Sequence, residues 1–168
     1  MDWVQQAMER HSGPLLRYAA GLTGSAETAR DVVQETFLRL CRAERGKVEG
    51  HLAAWLYTVC RNLALDLHRK ERHMAPWNET AAAAIPAATA PPSDAAERAE
   101  ARSRADAWMV TLPKNQQEVI RLKFQDALSY EEISRVTGLS TSNVGYLIHT
   151  GLKALRQRIA ATESAVQA

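Results

Sequence analysis

Residues 74–93 divide the chain into two parts and limit what each part can fold into. The segment reads MAPWNETAAAAIPAATAPPS, with four of the six prolines, a run of alanines and no lysine or arginine. Proline-rich chain acts as a semi-rigid spacer rather than as a packed element. We therefore expect residues 1–73 and 94–168 to form two small domains, each of fewer than ~100 residues, joined by a flexible linker at 74–93.

The stretch 51–72, HLAAWLYTVCRNLALDLHRKER, has the clearest helical pattern of the first part. Its apolar residues recur at the i, i+3, i+4, i+7 spacing of one helical face. They are Leu52, Trp55, Leu56, Val59, Leu63 and Leu67. Another face is polar and carries Arg61, Asn62, Asp66 and Arg69. Periodicity alone favours a solvated face on a core helix, because most charged faces only keep a protein in solution.

Two further helices are expected before this stretch. The first covers residues 2–22, and the Ser12-Gly13-Pro14 step predicts a kink or a new start at Pro14, because proline inside a helix costs about 3 kcal/mol. Ser25 is a good N-cap for the second, at 26–43. The expected buried stripe of that helix is Ala29, Val32, Val33, Thr36, Phe37 and Leu40. Residues 44–50 contain two glycines and are expected to form a loop.

The second part has the pattern of four helices that end in a helix-turn-helix. Helices are expected at 94–111 and 113–125, followed by a short helix that the capping box Ser129-Tyr130-Glu131-Glu132 begins. Gly138 supplies the turn, and Ser140 caps a last helix. The residues expected to be buried there are Val144, Ile148, Leu152, Leu155 and Ile159. The pattern is typical of a helix-turn-helix, and a plain αα-hairpin also fits it. The predicted fold class is all-α, with two small helical domains.

Composition excludes several functional classes. The formal net charge is only +2, so the position of the cations matters more than their number. No apolar run approaches the ~20 residues of a membrane helix and no signal peptide is recognisable, which predicts a cytoplasmic protein without membrane insertion. Cys41 and Cys60 lack a partner at ligand spacing and are expected to be reduced packing residues rather than metal ligands. No histidine is paired with an acid or nucleophile at motif spacing and no Gly-rich phosphate loop occurs, so neither a catalytic residue nor a cofactor is expected.

Four motifs in order make the chain similar to a known family. ARDVVQETFLRL, WLYTVCRNLALDLHRK, LPKNQQEVIRLKF and LSYEEISRVTGLS together resemble the bacterial RNA polymerase sigma factors of the extracytoplasmic-function (ECF, group IV) family. The resemblance covers nearly the whole chain and implies sigma region 2 at 1–73 and sigma region 4 at 94–168. It implies a protein that binds core RNA polymerase and directs promoter recognition, DNA melting and transcription initiation in a stress or signal response.

The resemblance also implies three sets of binding residues. Those at the place where the family docks on the β′ clamp helices of the polymerase are Asp31, Gln34, Glu35 and Leu38. Those that would melt the −10 element and hold its non-template strand are Arg61, Asn62, Asp66, Arg69 and Lys70. Those that would meet the −35 element in the major groove are Ser142, Asn143, Tyr146, His149, Lys153 and Arg156. Residues 44–50 stand where the family captures a flipped-out base. Further implied partners are the polymerase β flap and an anti-sigma factor, and the linker would thread the RNA exit path.

In one respect the chain departs from the family pattern. Typical members carry Lys and Arg at the start of the recognition helix, whereas this chain has no cation between Ser140 and Leu152. Either cations on the preceding helices compensate, or the polymerase flap holds the domain in place. The cations are Lys114, Arg121, Lys123 and Arg135. Two glycines within the helix, Gly145 and Gly151, are each expected to weaken it by roughly 1 kcal/mol.

Two alternative functions remain open from the sequence. The first is a helix-turn-helix regulator that acts without the polymerase core and usually dimerises; the absence of an obvious dimer helix counts against it. The second is a sigma-like decoy that binds an anti-sigma protein and no DNA, a hypothesis that the cation-poor recognition helix keeps open.

Overall fold

The computed structural model describes residues 2–74 and 94–166, whose helices fall into two compact units. The first unit contains α1 (Asp2–Thr23), α2 (Ala26–Arg42), α3 (Arg45–Val48) and α4 (Leu52–Met74), with a 3-10 turn at Glu49–His51. The second contains α5 (Asp94–Met109), α6 (Lys114–Phe124), α8 (Thr141–Val166) and most of α7 (Tyr130–Thr137). No strand occurs in these two ranges, and the all-α fold class is confirmed. The predicted linker lies outside the described residues, apart from Met74 at the end of α4.

The first unit packs α1, α2 and α4 around an apolar core. Leu15, Leu40 and Leu56 are completely buried, one from each helix. Tyr18 and Tyr57 meet edge to face, with ring centroids 5.1 Å apart, an arrangement that aromatic pairs prefer. All six residues predicted to face inward from α2 are buried, so the predicted stripe of that helix is confirmed.

The buried face of α4 differs from the predicted one. Its buried residues are Ala54, Leu56, Tyr57, Cys60 and Ala64, whereas the predicted apolar residues other than Leu56 are only half-buried. Helices approach more closely where the side chains between them are small. The alanines and the cysteine therefore face α1 and α2, and the larger apolar side chains of α4 lie at the edges of the contact.

α1 continues through Pro14, so the predicted new start is wrong. Leu15 and Ala19 are completely buried just beyond the proline, and the Ser12 hydroxyl donates a hydrogen bond to the Met8 carbonyl at 2.5 Å. Burying one leucine contributes about 1.5–3 kcal/mol. That gain is comparable to the cost of about 3 kcal/mol for proline inside a helix, so packing holds the helix together.

Residues 44–50 are not the predicted loop, because α3 and the 3-10 turn occupy them. Arg45 pairs with Glu49 at 2.6 Å and Lys47 with Glu44 at 3.0 Å, at the i,i+4 and i,i+3 spacings of a helix. Both pairs are exposed and contribute little. Val48 is only 3% exposed, so this short helix buries its valine against the unit.

The helix starts of the second unit are capped as predicted. The Ser129 backbone N–H donates to Glu132 Oε2 at 2.8 Å, and the Glu132 N–H donates to Ser129 Oγ at 3.1 Å. Ser140 Oγ accepts from the Asn143 N–H at 3.1 Å. Gly138 has φ +75°, a conformation that glycine adopts without steric cost. These local contacts fix the turn between α7 and α8.

Gly151 packs closely against α6, in addition to its low helix propensity. A Cβ built on it would lie 2.6 Å from Ile120 Cδ1 of α6, and Ile120 is itself only 6% exposed. We expect Gly151→Ala to destabilise the protein by about 1–3 kcal/mol of overpacking, less the ~1 kcal/mol of helix propensity gained. The matched control is Gly145→Ala, whose Cβ would meet Tyr130 Cε2 at an ordinary 3.4 Å. Urea unfolding of both variants should show a lower stability for Gly151→Ala than for Gly145→Ala; equal stabilities would contradict this packing.

Candidate polymerase and nucleic-acid interfaces

The outward face of α2 is acidic at its start and apolar towards its end. Asp31, Gln34 and Leu38 are exposed and follow one another at helical spacing. Glu35 is half-buried and forms an ion pair with Arg39 at 3.0 Å. A leucine that is 43% exposed among polar neighbours is the feature that this face offers to an apolar partner.

A groove of about 350 Å³ runs between α1 and α2 beside this face. The side chains that line it are mostly apolar, among them Met8, Leu16, Val33, Gln34, Phe37 and Leu38. Met8 of α1 is 43% exposed at this groove. The groove can take a large apolar side chain, with the polar end of Gln34 at its edge. Sequence patterns treat one helix at a time, so they did not reveal a groove that two helices build together.

The two cysteines of the first unit lie in opposite environments. Cys60 is buried and Cys41 is exposed, so the prediction that both are packing residues is wrong for Cys41. Burial raises the pKa of the Cys60 thiol to about 12, against a smaller opposing effect of its hydrogen bond with Thr36. A thiol with so high a pKa has almost no thiolate near neutral pH and is inert.

We expect one fast-reacting thiol per folded chain at pH 8. Cys41 should react with a disulfide reagent at once, and Cys60 only after unfolding; two fast thiols would contradict the burial of Cys60.

The unfolded Cys60 thiol ionises near its ordinary pKa of 9.0, well below the pKa of about 12 in the folded unit. The free energy of unfolding should therefore fall as the pH rises from 9 towards 12, and a Cys60→Ala control should lose that part of the pH dependence.

The polar face of α4 is exposed along its C-terminal half. Asn62, Asp66, Arg69 and Lys70 all lie at the surface, and Arg61 is half-buried. Arg69 donates to the Asp66 carboxylate through an i,i+3 ion pair. This pair is exposed, and Lys70 beside it is a second exposed cation. The face therefore combines cations with one amide and one carboxylate. Cations of this kind attract the backbone of a single nucleic-acid strand.

Two contacts of the first unit join segments that the sequence does not link. His68 Nε2 lies 2.6 Å from the Leu22 carbonyl and ties α4 to the end of α1, which has no basic residue in its last turn. The Arg45 guanidinium of α3 lies 6.0 Å from the centre of the Trp3 ring. Residues 44–50 contain no aromatic, so α1 supplies the aromatic ring beside them. Neither contact could be predicted from the sequence, because the two residues that form it are about 40 positions or more apart.

The outward stripe of α8 contains all six residues predicted for it. Each of them is exposed: Ser142, Asn143, Tyr146, His149, Lys153 and Arg156. Tyr146 is 65% exposed, whereas Val144 on the opposite side is completely buried. The first three turns of the stripe are polar and uncharged, and the cations follow one turn later.

Two of the cations expected to compensate, Arg121 and Lys123, are half-buried. Lys123 Nζ lies 5.2 Å from the centre of the Tyr130 ring and donates to the Leu128 carbonyl at 3.4 Å. Arg121 lines an apolar pocket, and its Nε is buried with no hydrogen-bond partner among the described residues. Lys114 and Arg135 are exposed and are therefore the more accessible of the four cations.

The apolar pocket that contains Arg121 lies between α5, α6 and α8 and measures about 250 Å³. Its apolar lining is Trp108, Met109, Ile120, Phe124, Leu155 and Ile159. Phe124 is the most exposed of these residues, at 60%. The first unit thus carries the α1–α2 groove, and the second unit carries this pocket.

Within residues 2–74 and 94–166, no group of three or more His, Cys, Asp or Glu side chains is placed to hold a metal ion. None of the helices in those ranges is long and apolar enough to cross a membrane.

Comparison with known proteins identifies both units. The family model for Sigma-70 region 2 matches residues 7–74, and the model for Sigma-70, region 4 matches residues 104–155. The RNA polymerase sigma factor CarQ of Myxococcus xanthus is 29% identical over 168 residues, with 96% of this chain and 94% of CarQ covered. The ECF RNA polymerase sigma factor SigL of Mycobacterium tuberculosis is 31% identical over 150 residues, with 88% of this chain and 84% of SigL covered.

Two solved structures have the same fold. The sigma factor RpoE of Bartonella quintana, in complex with the anti-sigma factor NepR, has a TM-score of 0.69 and 21% identity, with 95% of this chain and 98% of RpoE covered. CnrH, in complex with the cytosolic domain of CnrY, has a TM-score of 0.62 and 23% identity, with 94% and 88% covered.

Proposed function

We propose that this chain, which belongs to the extracytoplasmic-function (ECF) RNA polymerase sigma factors, divides promoter recognition between its two units. It acts in the cytoplasm with core RNA polymerase, which performs the chemistry of RNA synthesis, and it directs transcription initiation in a stress or signal response. The observation that carries the proposal is the exposure of three separate faces on α2, α4 and α8, each with a different chemistry.

The α2 face and the adjacent groove bind the β′ clamp helices of the polymerase. Leu38 supplies the apolar anchor, and the exposed Asp31 and Gln34 supply a polar rim around it. Such a division between an apolar centre and a polar rim is usual in protein interfaces. Met8 on α1 extends the apolar surface across the groove, so the docking site draws on two helices.

The polar face of α4 separates the two DNA strands of the −10 element and holds the non-template strand. Arg69 and Lys70 attract the phosphates, while the amide of Asn62 offers hydrogen bonds to bases. Asp66 acts as a positioning residue, because it forms an ion pair with Arg69. Opening the duplex costs a few kcal/mol per unstacked base, and these contacts to the single strand offset that cost.

Residues 44–50 receive a base that leaves the stack. Arg45 and Lys47 are exposed on α3, and Trp3 lies beside Arg45. Guanidinium and aromatic planes are the groups on which bases of single strands stack. α3 is a helix of only four residues that buries Val48, so this part of the surface is small.

The outward stripe of α8 enters the major groove at the −35 element. The recognition helix of a helix-turn-helix directs its N-terminal residues to base edges, and here these are Ser142 and Asn143. Lys153 and Arg156 come later and suit phosphates. With ~2 phosphate contacts from α8, this part of the binding contributes a slope of only about −2 to the dependence of log affinity on log salt concentration.

Regulation acts through apolar surfaces on both units. The pocket between α5, α6 and α8 takes the β flap of the polymerase, with Phe124 and Trp108 as its aromatic contacts. Because RpoE was solved with the anti-sigma factor NepR, and CnrH with the cytosolic domain of CnrY, we further propose an anti-sigma factor for this chain. It would compete for the α1–α2 groove and for this pocket.

The proposal is tested by transcription in vitro with bacterial core polymerase, this chain and a library of promoter DNA, followed by sequencing of the transcripts. We expect defined start sites that share two spaced elements. Asn62→Ala should weaken selection at the downstream element and His149→Ala at the upstream one. Binding to core without any transcripts would indicate a decoy, and DNA binding with no affinity for core would indicate a regulator that acts alone.

A further inference from the structure

The base-facing surface of α8 is polar but uncharged over its first three turns. Ser142, Asn143, Tyr146 and His149 are exposed on one stripe, and the sequence has no Lys or Arg between Ser140 and Leu152. The helix is held firmly beneath this stripe, since Val144 is completely buried. The groups available for reading bases are therefore two hydroxyls, one amide and one imidazole.

Each base presents a different set of hydrogen-bonding groups in the major groove, and therefore favours a different side chain. Guanine presents two acceptors, O6 and N7, which the forked donors of Arg or the ammonium of Lys read. Adenine presents an acceptor at N7 and a donor at N6, which the amide of Asn or Gln matches with two hydrogen bonds. Thymine presents a methyl group that favours apolar contact. This stripe has an amide and an aromatic ring but no guanidinium or ammonium at the depth of the bases.

Asn143 is well placed to act as the adenine reader. It lies in the first turn of α8, where its backbone N–H is fixed by the Ser140 cap at 3.1 Å, and its side chain is exposed. Tyr146 follows one turn later on the same stripe and is 65% exposed. The imidazole of His149 lies about 9 Å further along the axis than Asn143 at 1.5 Å per residue, and it cannot form the forked contact that guanine favours.

We propose that Asn143 reads one adenine of the −35 element through its amide, and that the Tyr146 ring contacts the thymine methyl of an adjoining A·T pair. The inference rests on the proposed function and adds the bases that α8 selects. It makes the upstream specificity of this chain depend on A·T pairs opposite the first two turns of α8, with guanine disfavoured at the position of Asn143.

The test is transcription with core polymerase from promoters with a fixed −10 element and a randomised −35 element. We expect the unmodified chain to prefer adenine at one position by about tenfold, the discrimination of a good two-bond contact. Asn143→Ala should abolish that preference, and Asn143→Arg should shift it towards guanine. The matched control is Lys153→Ala, which removes a proposed phosphate contact and should lower transcription from all promoters alike while keeping the adenine preference.

Each outcome decides between the two proposals. A preference for guanine in the unmodified chain, or an adenine preference that survives in Asn143→Ala, would overturn this inference and leave the proposed function intact. Active transcription with no selection anywhere in the −35 region would overturn this inference together with the assignment of −35 recognition to α8, and would leave the polymerase and −10 roles of the first unit intact. Absence of transcripts from every promoter would overturn the proposed function and this inference with it.

Discussion

Leu38→Glu is expected to weaken the complex with core polymerase by about thirtyfold or more. Leu38 is the apolar centre of the α2 face and lines the groove with Met8. Burying a carboxylate there without a partner is costly, and truncation of a central interface residue alone commonly costs about 2 kcal/mol or more. The complex is measured by titrating labelled chain with core polymerase.

The control for this variant is Leu65→Glu on α4. Leu65 and Leu38 have almost the same exposure, 41% and 43%, and both lie on helices of the first unit. Leu65→Glu should retain affinity for core, because α4 faces DNA rather than the clamp in our proposal. An equal loss of affinity in both variants, or none in either, would contradict the assignment of the clamp site to α2.

The double variant Arg69→Glu with Lys70→Glu is expected to lower transcription on the order of 100-fold or more while affinity for core stays unchanged. Each substitution replaces an attraction to phosphate by a repulsion, and each unit charge contributes about 1 kcal/mol at 4 Å even in bulk water. Four such increments exceed the ~2.7 kcal/mol that correspond to a factor of 100. In addition, the carboxylate introduced at position 69 would repel Asp66 instead of pairing with it.

The control for the double variant is Arg10→Glu with Arg17→Glu. Both arginines are exposed on α1, and the change in net charge is the same. If the control loses as much transcription as the α4 variant, the effect comes from overall charge and the −10 site on α4 is wrong. The salt dependence of DNA binding also distinguishes the α4 variant from the α1 control. Loss of specific phosphate contacts lowers the slope of log affinity against log salt concentration.

Local features of the fold were predictable from the sequence. The α2 stripe repeats at helical spacing between polar residues, and both of its determinants, periodicity and the Ser25 cap, lie within the helix itself or directly before it. The Ser129–Glu132 capping box is equally local. Such features depend on residues three or four positions apart, and a single sequence contains all the information they need.

The features that could not be predicted depend on contacts between helices. The buried face of α4 is turned towards its small residues because α1 and α2 approach there, and nothing within α4 distinguishes that side. α1 continues through Pro14 because Leu15, directly after it, is buried against the neighbouring helices. The sequence shows Gly151 only as a glycine inside a helix, whereas its close contact with Ile120 of α6 is visible only in the structure.

The same distinction applies to the candidate sites. The exposed residues of α2, α4 and α8 follow from helical patterns combined with the family resemblance. The groove beside Leu38 and the pocket around Arg121 each need side chains from two or three helices. Trp3 reaches Arg45 only because α1 passes α3, so the aromatic beside residues 44–50 had no sequence signal.

The measurement that tests the central claim most directly is permanganate probing of unpaired thymines on a promoter selected by this chain. We expect thymines of the −10 element to become reactive only when the chain and core polymerase are present together, and the Arg69→Glu, Lys70→Glu variant to abolish that reactivity. Protection of duplex DNA by the chain alone, without reactive thymines when core is added, would contradict a sigma factor that melts its own promoter.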